Sequence, residues 1–100
     1  MPFLKYAEAF LIMKLKYLFE SVDMGDEIIA VPVGDNASEI RGVIKLNKEG
    51  FEIFELLKYE TTEAAIVDTL CAKYENRREQ LTDYVHKIIH TFTEVGIIAE

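Results

Sequence analysis

The residue types that carry chemistry are few and scattered in this chain. Cys71 is the single cysteine, so it closes no intramolecular disulfide, and nothing here asks for an oxidising compartment. It shares a helical face with Ile66, Val67 and Leu70, where a thiol serves as a small hydrophobe. His86 and His90 stand four residues apart and project from one side of a helix. Two helical ligands without a committed third and fourth do not hold zinc against water. Both lie among Asp83, Lys87 and Glu94 and nearly opposite Ile88, so the pair reads as part of a solvated face. The sequence contains no Gly-rich phosphate loop, nucleophile elbow or CxxC. General acid–base catalysis needs a pocket holding paired titratable groups, for which a chain of 100 residues leaves little room. The expectation is a protein that is not an enzyme and takes no metal or cofactor.

Composition narrows the remaining classes. The chain is 50% apolar and 29% charged, which describes one ordinary globular domain. With 18 acidic against 11 basic residues the formal charge is -7, the wrong sign for a surface that neutralises phosphates. Nucleic acid is therefore not the expected partner. The apolar runs are broken by charge well short of the ~20 residues that span a bilayer, so no transmembrane helix is expected, and Glu8 within the run at 7–12 argues against a signal peptide. A cytoplasmic location follows as the default.

These side chains must be positioned by elements that local periodicity outlines. Leu18, Glu20, Val22 and Met24 alternate with Phe19, Ser21 and Asp23 up to Gly25-Asp26, the pattern of a strand entering a tight turn with glycine first. A returning strand over 27–33 is apolar on both faces at Ile28-Ile29-Ala30-Val31, as a central strand covered on both sides would be. Pro32 has no N–H to donate, which places it at the strand's end, a bulge or an unpaired edge. After a loop at 34–38, residues 40–46 read as a third strand with Ile40, Ile44 and Leu46 on one face and Arg41, Val43 and Lys45 on the other. In a simple meander this strand is a free edge.

The period then becomes helical. Asn47 is placed to cap a first helix with Phe51, Ile53, Phe54 and Leu57 on its apolar face, and residues 58–61 interrupt it. Thr62 caps a second helix carrying Ile66, Val67, Leu70, Cys71 and Tyr74 on one side, with Ala65 where a capping-box acid would sit. Asn76 opens a third, with Leu81, Val85, Ile88, Ile89, Phe92 and Val95 at helical spacing until Gly96. Ile97-Ile98 then folds back onto the core. Phe3, Ala7, Phe10 and Leu11 fall at helical spacing behind Pro2, so residues 1–12 read as an extension containing a short amphipathic helix, with the domain at 13–100. Such an extension docks on the domain, pairs with a second copy or frays. The fold class is α+β, winged helix-turn-helix-like, with an N-terminal three-stranded antiparallel sheet followed by three helices.

The runs Ile29-Ala30-Val31-Pro32-Val33-Gly34, Gly42-Val43-Ile44-Lys45-Leu46-Asn47-Lys48-Glu49-Gly50, Phe54-Glu55-Leu56-Leu57, Thr61-Thr62-Glu63 and Val95-Gly96-Ile97-Ile98, in that order and spacing, resemble the coenzyme PQQ synthesis protein D (PqqD) family over 13–100. Two positions depart from the family pattern: Ala65 replaces the capping-box acid, and Tyr84 stands where an acidic residue is usual in the last helix. The resemblance implies a winged-helix-like, non-catalytic module, a RiPP recognition element or peptide chaperone. It would bind the leader segment of a ribosomally made precursor peptide and present it to a modifying enzyme, a radical SAM protein.

By the same resemblance, the leader adds as a strand to the free edge in a groove against the last helix. Its walls would be Arg41, Val43, Ile44, Lys45 and Leu46 from the strand and Tyr84, Lys87, Ile88 and Thr91 from one flank of the helix. Two other readings stay open. One is a winged-helix DNA-binding regulator, whose reading helix would carry Glu63 and Asp68, with Glu75, Glu79, Asp83 and Glu94 on the next helix; that charge has the wrong sign for a DNA reader. The other is a structural subunit docked on an enzyme. A homodimer through the unpaired edge is compatible with any of them.

Overall fold

The computed structural model describes residues 10–34, 42–74 and 78–99. Two short strands, β1 (Lys14–Leu15) and β5 (Ile98–Ala99), bracket the domain; between them run β2 (Leu18–Asp23), β3 (Ile28–Val33), β4 (Ile44–Leu46), α1 (Lys48–Leu56), α2 (Glu63–Tyr74) and α3 (Arg78–Val95). The architecture is mixed α+β, a three-stranded antiparallel sheet in the order β2-β3-β4 followed by three helices.

The β2–β3 hairpin closes as its residues dictate. Gly25 takes φ +100, a backbone state that a Cβ opposes. The Met24 N–H donates to the Glu27 carbonyl at 2.8 Å, and the Asp23 carboxylate accepts from the Gly25 N–H at 2.8 Å. Leu18↔Val33 through Asp23↔Ile28 set the register. β3 is central, and its faces are unequally covered: Ile28 and Ala30 are buried, whereas Ile29, Val31 and Val33 on the other face are half-buried. The expectation of burial on both faces is corrected accordingly. β4 pairs with β3 only at Ile28, Ile29 and Ala30, so Pro32 meets no strand on the β4 side, where an imino nitrogen costs nothing.

The third strand is shorter than its apolar pattern implies. Gly42 has φ +84 and forms a bend, which extended pairing does not tolerate, and the strand begins only at Ile44. Ile40 and Arg41 lie outside the described residues, as do residues 1–9 of the N-terminal extension and the cap expected at Asn76.

Both remaining helix starts are capped as expected. Asn47 Oδ1 accepts from the Gly50 N–H at 2.7 Å, and Thr62 Oγ1 accepts from the Ala65 N–H at 3.0 Å. The core gathers Phe54, Ile53 and Leu57 of the α1 region, Ile66 and Leu70 of α2, Val85, Ile89 and Phe92 of α3, and Ile97. Phe54 is its hub, with Phe19 of β2 edge-on at 5.1 Å and Phe92 of α3 edge-on at 5.9 Å, so one ring joins sheet and helices. Two expected core members are at the surface: Val95 is 54% exposed at the end of α3, and Tyr74 is 41% exposed at the end of α2.

The strands β1 and β5 had no periodic signal. β1 pairs Lys14 with Ala99 and Leu15 with Ile98. Met13 exchanges backbone hydrogen bonds with Thr61 at 2.8 and 2.9 Å, and the Leu15 N–H donates to Leu57 at 2.8 Å. The segment thereby pins the α1–α2 connection to the chain's C-terminal strand, beneath which Ile97 is wholly buried.

Candidate functional site

Among the described residues β4 has a strand neighbour on one side only, and α3 runs beside its other side. Alternation turns Leu46 into the core and leaves Ile44 half-buried against it, while Lys45 is exposed. On α3, Val85, Ile89 and Phe92 face the core, and the neighbouring flank, at 84, 88, 91 and 95, follows the same helical period one step round the axis. That flank and β4 enclose a groove of about 320 Å³. Its strand wall is Ile44, Lys45 and Leu46, its helix wall Tyr84, Lys87, Ile88 and Thr91, and Asn47, Gly50, Phe92 and Val95 complete the lining.

The groove is held open from its corner. Asn47 Oδ1 both caps α1 and accepts from the Tyr84 hydroxyl at 3.3 Å, which ties the middle of the helix wall to the end of the strand wall. A Cβ at Gly50 would stand 3.0 Å from that same Oδ1, so a side chain there would press on the cap. The lining joins two ammonium groups, Lys45 and Lys87, to an apolar floor and, among the described residues, contains no Asp or Glu. Such a surface can hold an apolar segment that carries carboxylates.

Of the residues assigned to the site from sequence, the structure brings together Ile44, Lys45, Leu46, Tyr84, Lys87, Ile88 and Thr91. Val43 is 48% exposed, precedes β4 and does not line the groove; Arg41 lies outside the described residues. Sequence reasoning missed Asn47, Gly50, Phe92 and Val95 in this role. Val95 was legible from the spacing 84, 88, 91, 95, but its apolar character placed it with the core instead.

Tyr84 also borders a second cavity of about 410 Å³ between the helices, walled by Glu49, Glu52, Leu70, Tyr74 and Leu81. There the Lys73 ammonium lies 2.6 Å from Glu52, and the Tyr74 hydroxyl donates to the same carboxylate. Burial pushes the Glu52 carboxyl up, but hydrogen bonds from Lys73 and Tyr74 outweigh it and hold the group below the usual carboxylate range. Tyr74 is pushed up, chiefly because its O–H is held by Glu52.

The histidines divide. His90 is exposed and stands 3.9 Å from Glu94, as a solvated face requires. His86 departs from that expectation: its Nδ1 lies 3.0 and 3.1 Å from the two carboxylate oxygens of Glu63, which is only 4% exposed. Glu63 opens α2, where the helix dipole favours negative charge, and is not displayed on a reading helix. Among the described residues no three His, Cys, Asp or Glu side chains are grouped to hold a metal, and no helix is long and apolar enough to cross a membrane. Cys71 is half-buried against the core.

No curated protein and no solved structure matches the chain. Residues 35–98 match the family model of coenzyme PQQ synthesis protein D (PqqD). The match takes in the Leu46-Asn47 corner, α1, α2, α3 and Ile97-Ile98, and so includes every element that lines the groove. It leaves out the run at 29–34 that the resemblance had included. Membership implies an accessory role in the synthesis of coenzyme PQQ or a related modified peptide. With more than half of its length matched, groove included, the chain belongs to the PqqD family.

Proposed function

We propose that the chain is a non-catalytic adaptor that binds the leader segment of a ribosomally made precursor peptide as an added strand on β4. It presents that peptide to a modifying enzyme of the radical SAM class. One observation carries this reading: the sheet's open β4 edge stands beside the Tyr84–Ile88–Thr91 flank of α3, across a groove of about 320 Å³. Backbone groups on an open edge supply affinity that is indifferent to sequence, and the pockets beside it supply selectivity. Lys45 and Lys87 favour a leader with acidic residues interleaved with apolar ones.

The test titrates isotope-labelled full chain with the leader segments of short peptides encoded beside its gene, following backbone amide shifts. Binding should move the amides of Ile44, Lys45, Leu46, Tyr84, Lys87, Ile88 and Thr91. The double variant Lys45→Glu/Lys87→Glu should weaken it about tenfold, the scale of close charge reversal in an interface. If every leader leaves these amides unmoved while the neighbouring modifying enzyme alone shifts the spectrum, the protein is a docking subunit and the adaptor reading falls.

A further inference from the structure

The opposite edge of the sheet carries a second surface. Among the described residues the strand order β2-β3-β4 leaves β2 as an edge as well, and the chain entering it lines a groove of about 400 Å³ together with Lys58 and Tyr59 of the α1–α2 connection. This groove shares no residue with the one between β4 and α3. Its rim holds Lys14, Lys16 and Lys58, and its apolar surface comes from Tyr17, Leu18 and Tyr59. Leu18 is 72% and Tyr59 80% exposed.

The charge is segregated here. Carboxylates outnumber basic groups 18 to 11 over the chain, yet among the described residues this lining has three lysines and no Asp or Glu. Lys58 is paired with Glu55 at 2.6 Å. Lys14 and Lys16 have no carboxylate partner among the described residues, and the Lys16 ammonium sits 5.9 Å above the Tyr17 ring. These two ammonium groups stand beside large exposed apolar side chains, a combination suited to an apolar segment that carries carboxylates.

We infer that this groove docks a short, extended, acidic segment of a protein partner, at the edge of the sheet opposite β4. Its carboxylates would meet Lys14 and Lys16, its apolar residues would cover Leu18 and Tyr59, and its backbone would continue toward the open edge of β2. The segment is acidic only at that end. Glu20, Asp23, Asp26 and Glu27 follow along the hairpin and repel further carboxylates, which also sets the direction in which it lies. The same four residues, on a chain of charge -7, disfavour a polyphosphate such as DNA or an anionic membrane, both of which extend well beyond three lysines.

The experiment uses isotope-labelled full chain and two synthetic hexapeptides, one alternating glutamate with leucine and one alternating lysine with leucine. The acidic peptide should shift the amides of Lys14, Lys16, Leu18 and Tyr59. Its affinity should drop about tenfold in Lys14→Glu/Lys16→Glu and fall with rising salt, as exposed charge pairs do. Lys14→Gln/Lys16→Gln should give an intermediate loss with unchanged amide dispersion, which separates lost charge from lost fold. The inference fails if the lysine peptide shifts the same amides, or if duplex DNA or phosphatidylserine vesicles bind there more tightly than the acidic peptide. It also fails if the acidic peptide moves only β4 and α3 amides and is lost only in Lys45→Glu/Lys87→Glu. That last pattern leaves the β4 adaptor reading standing, so the two claims fail separately.

Discussion

Glu63 shows how much a single residue's role depends on a partner far away in sequence. Its side chain is buried at the first turn of α2, where the helix dipole favours negative charge and Nδ1 of His86, 23 residues on, lies 3.0 Å from it. Truncation to alanine removes the carboxylate that Nδ1 of His86 meets and opens space at the α2–α3 contact. The Glu63→Ala variant should lose about 1–3 kcal/mol of stability, the scale of deleting one side of a buried hydrogen bond, read as a lower urea midpoint with unchanged slope. Glu63→Gln, which keeps a polar partner for Nδ1, should lose less. A reading of residue types alone puts a glutamate at a helix start on the surface. Nothing local distinguishes a first-turn glutamate that stays in water from one buried against a histidine.

At the scale of elements, α1 and α2 are linked across their exposed sides by Glu52, Lys73 and Tyr74. Because the folded-state pKa of Glu52 is lowered, its contribution is present at neutral pH and fades as pH falls through and below the carboxylate range. The urea midpoint of the parent should exceed that of Glu52→Gln at neutral pH, and the two should converge in acid. The gap should be small, since the groups are largely exposed and solvent screens them. The helices themselves were legible: Asn47 and Thr62 cap where their side chains predict, and the 3.6-residue period marked Val85, Ile89 and Phe92 as core. The third strand was overextended, because Ile40, Val43 and Ile44 carry β-type side chains while the positive φ of Gly42 interrupts the pairing. A glycine's φ is set by the turn it completes, and residue type records only that the angle is permitted.

For the molecule as a whole, the decisive contact is between the two ends of the chain. β1 and β5 are two residues each, too short for any period to register, yet together they close the core over Ile97. Ile97 is wholly buried, and the Lys16 N–H donates to its carbonyl at 2.7 Å. Ile97→Ala should cost about 2–5 kcal/mol, the usual range for truncating a fully buried aliphatic side chain. The loss should appear as a lower melting temperature and as faster exchange of the Leu15 and Lys16 amides, which depend on the same closure.

Composition, charge sign and local period pointed to an acidic α+β chain with a strand meander followed by three helices, two of them with the caps that the structure shows at Asn47 and Thr62; the family resemblance added the candidate walls, which included Arg41 and Val43 beside 44–46 and 84–91. Each of those properties is written in neighbours within a few residues of one another, which is as far as propensity and amphipathicity reach. Tertiary structure decided the rest. It set the width of the groove between β4 and α3, joined Asn47 to Tyr84 at its corner, buried Glu63 against His86, and paired the first strand with the last. These are contacts between residues 23 to 85 positions apart, and their formation depends on how whole elements pack once the chain has closed.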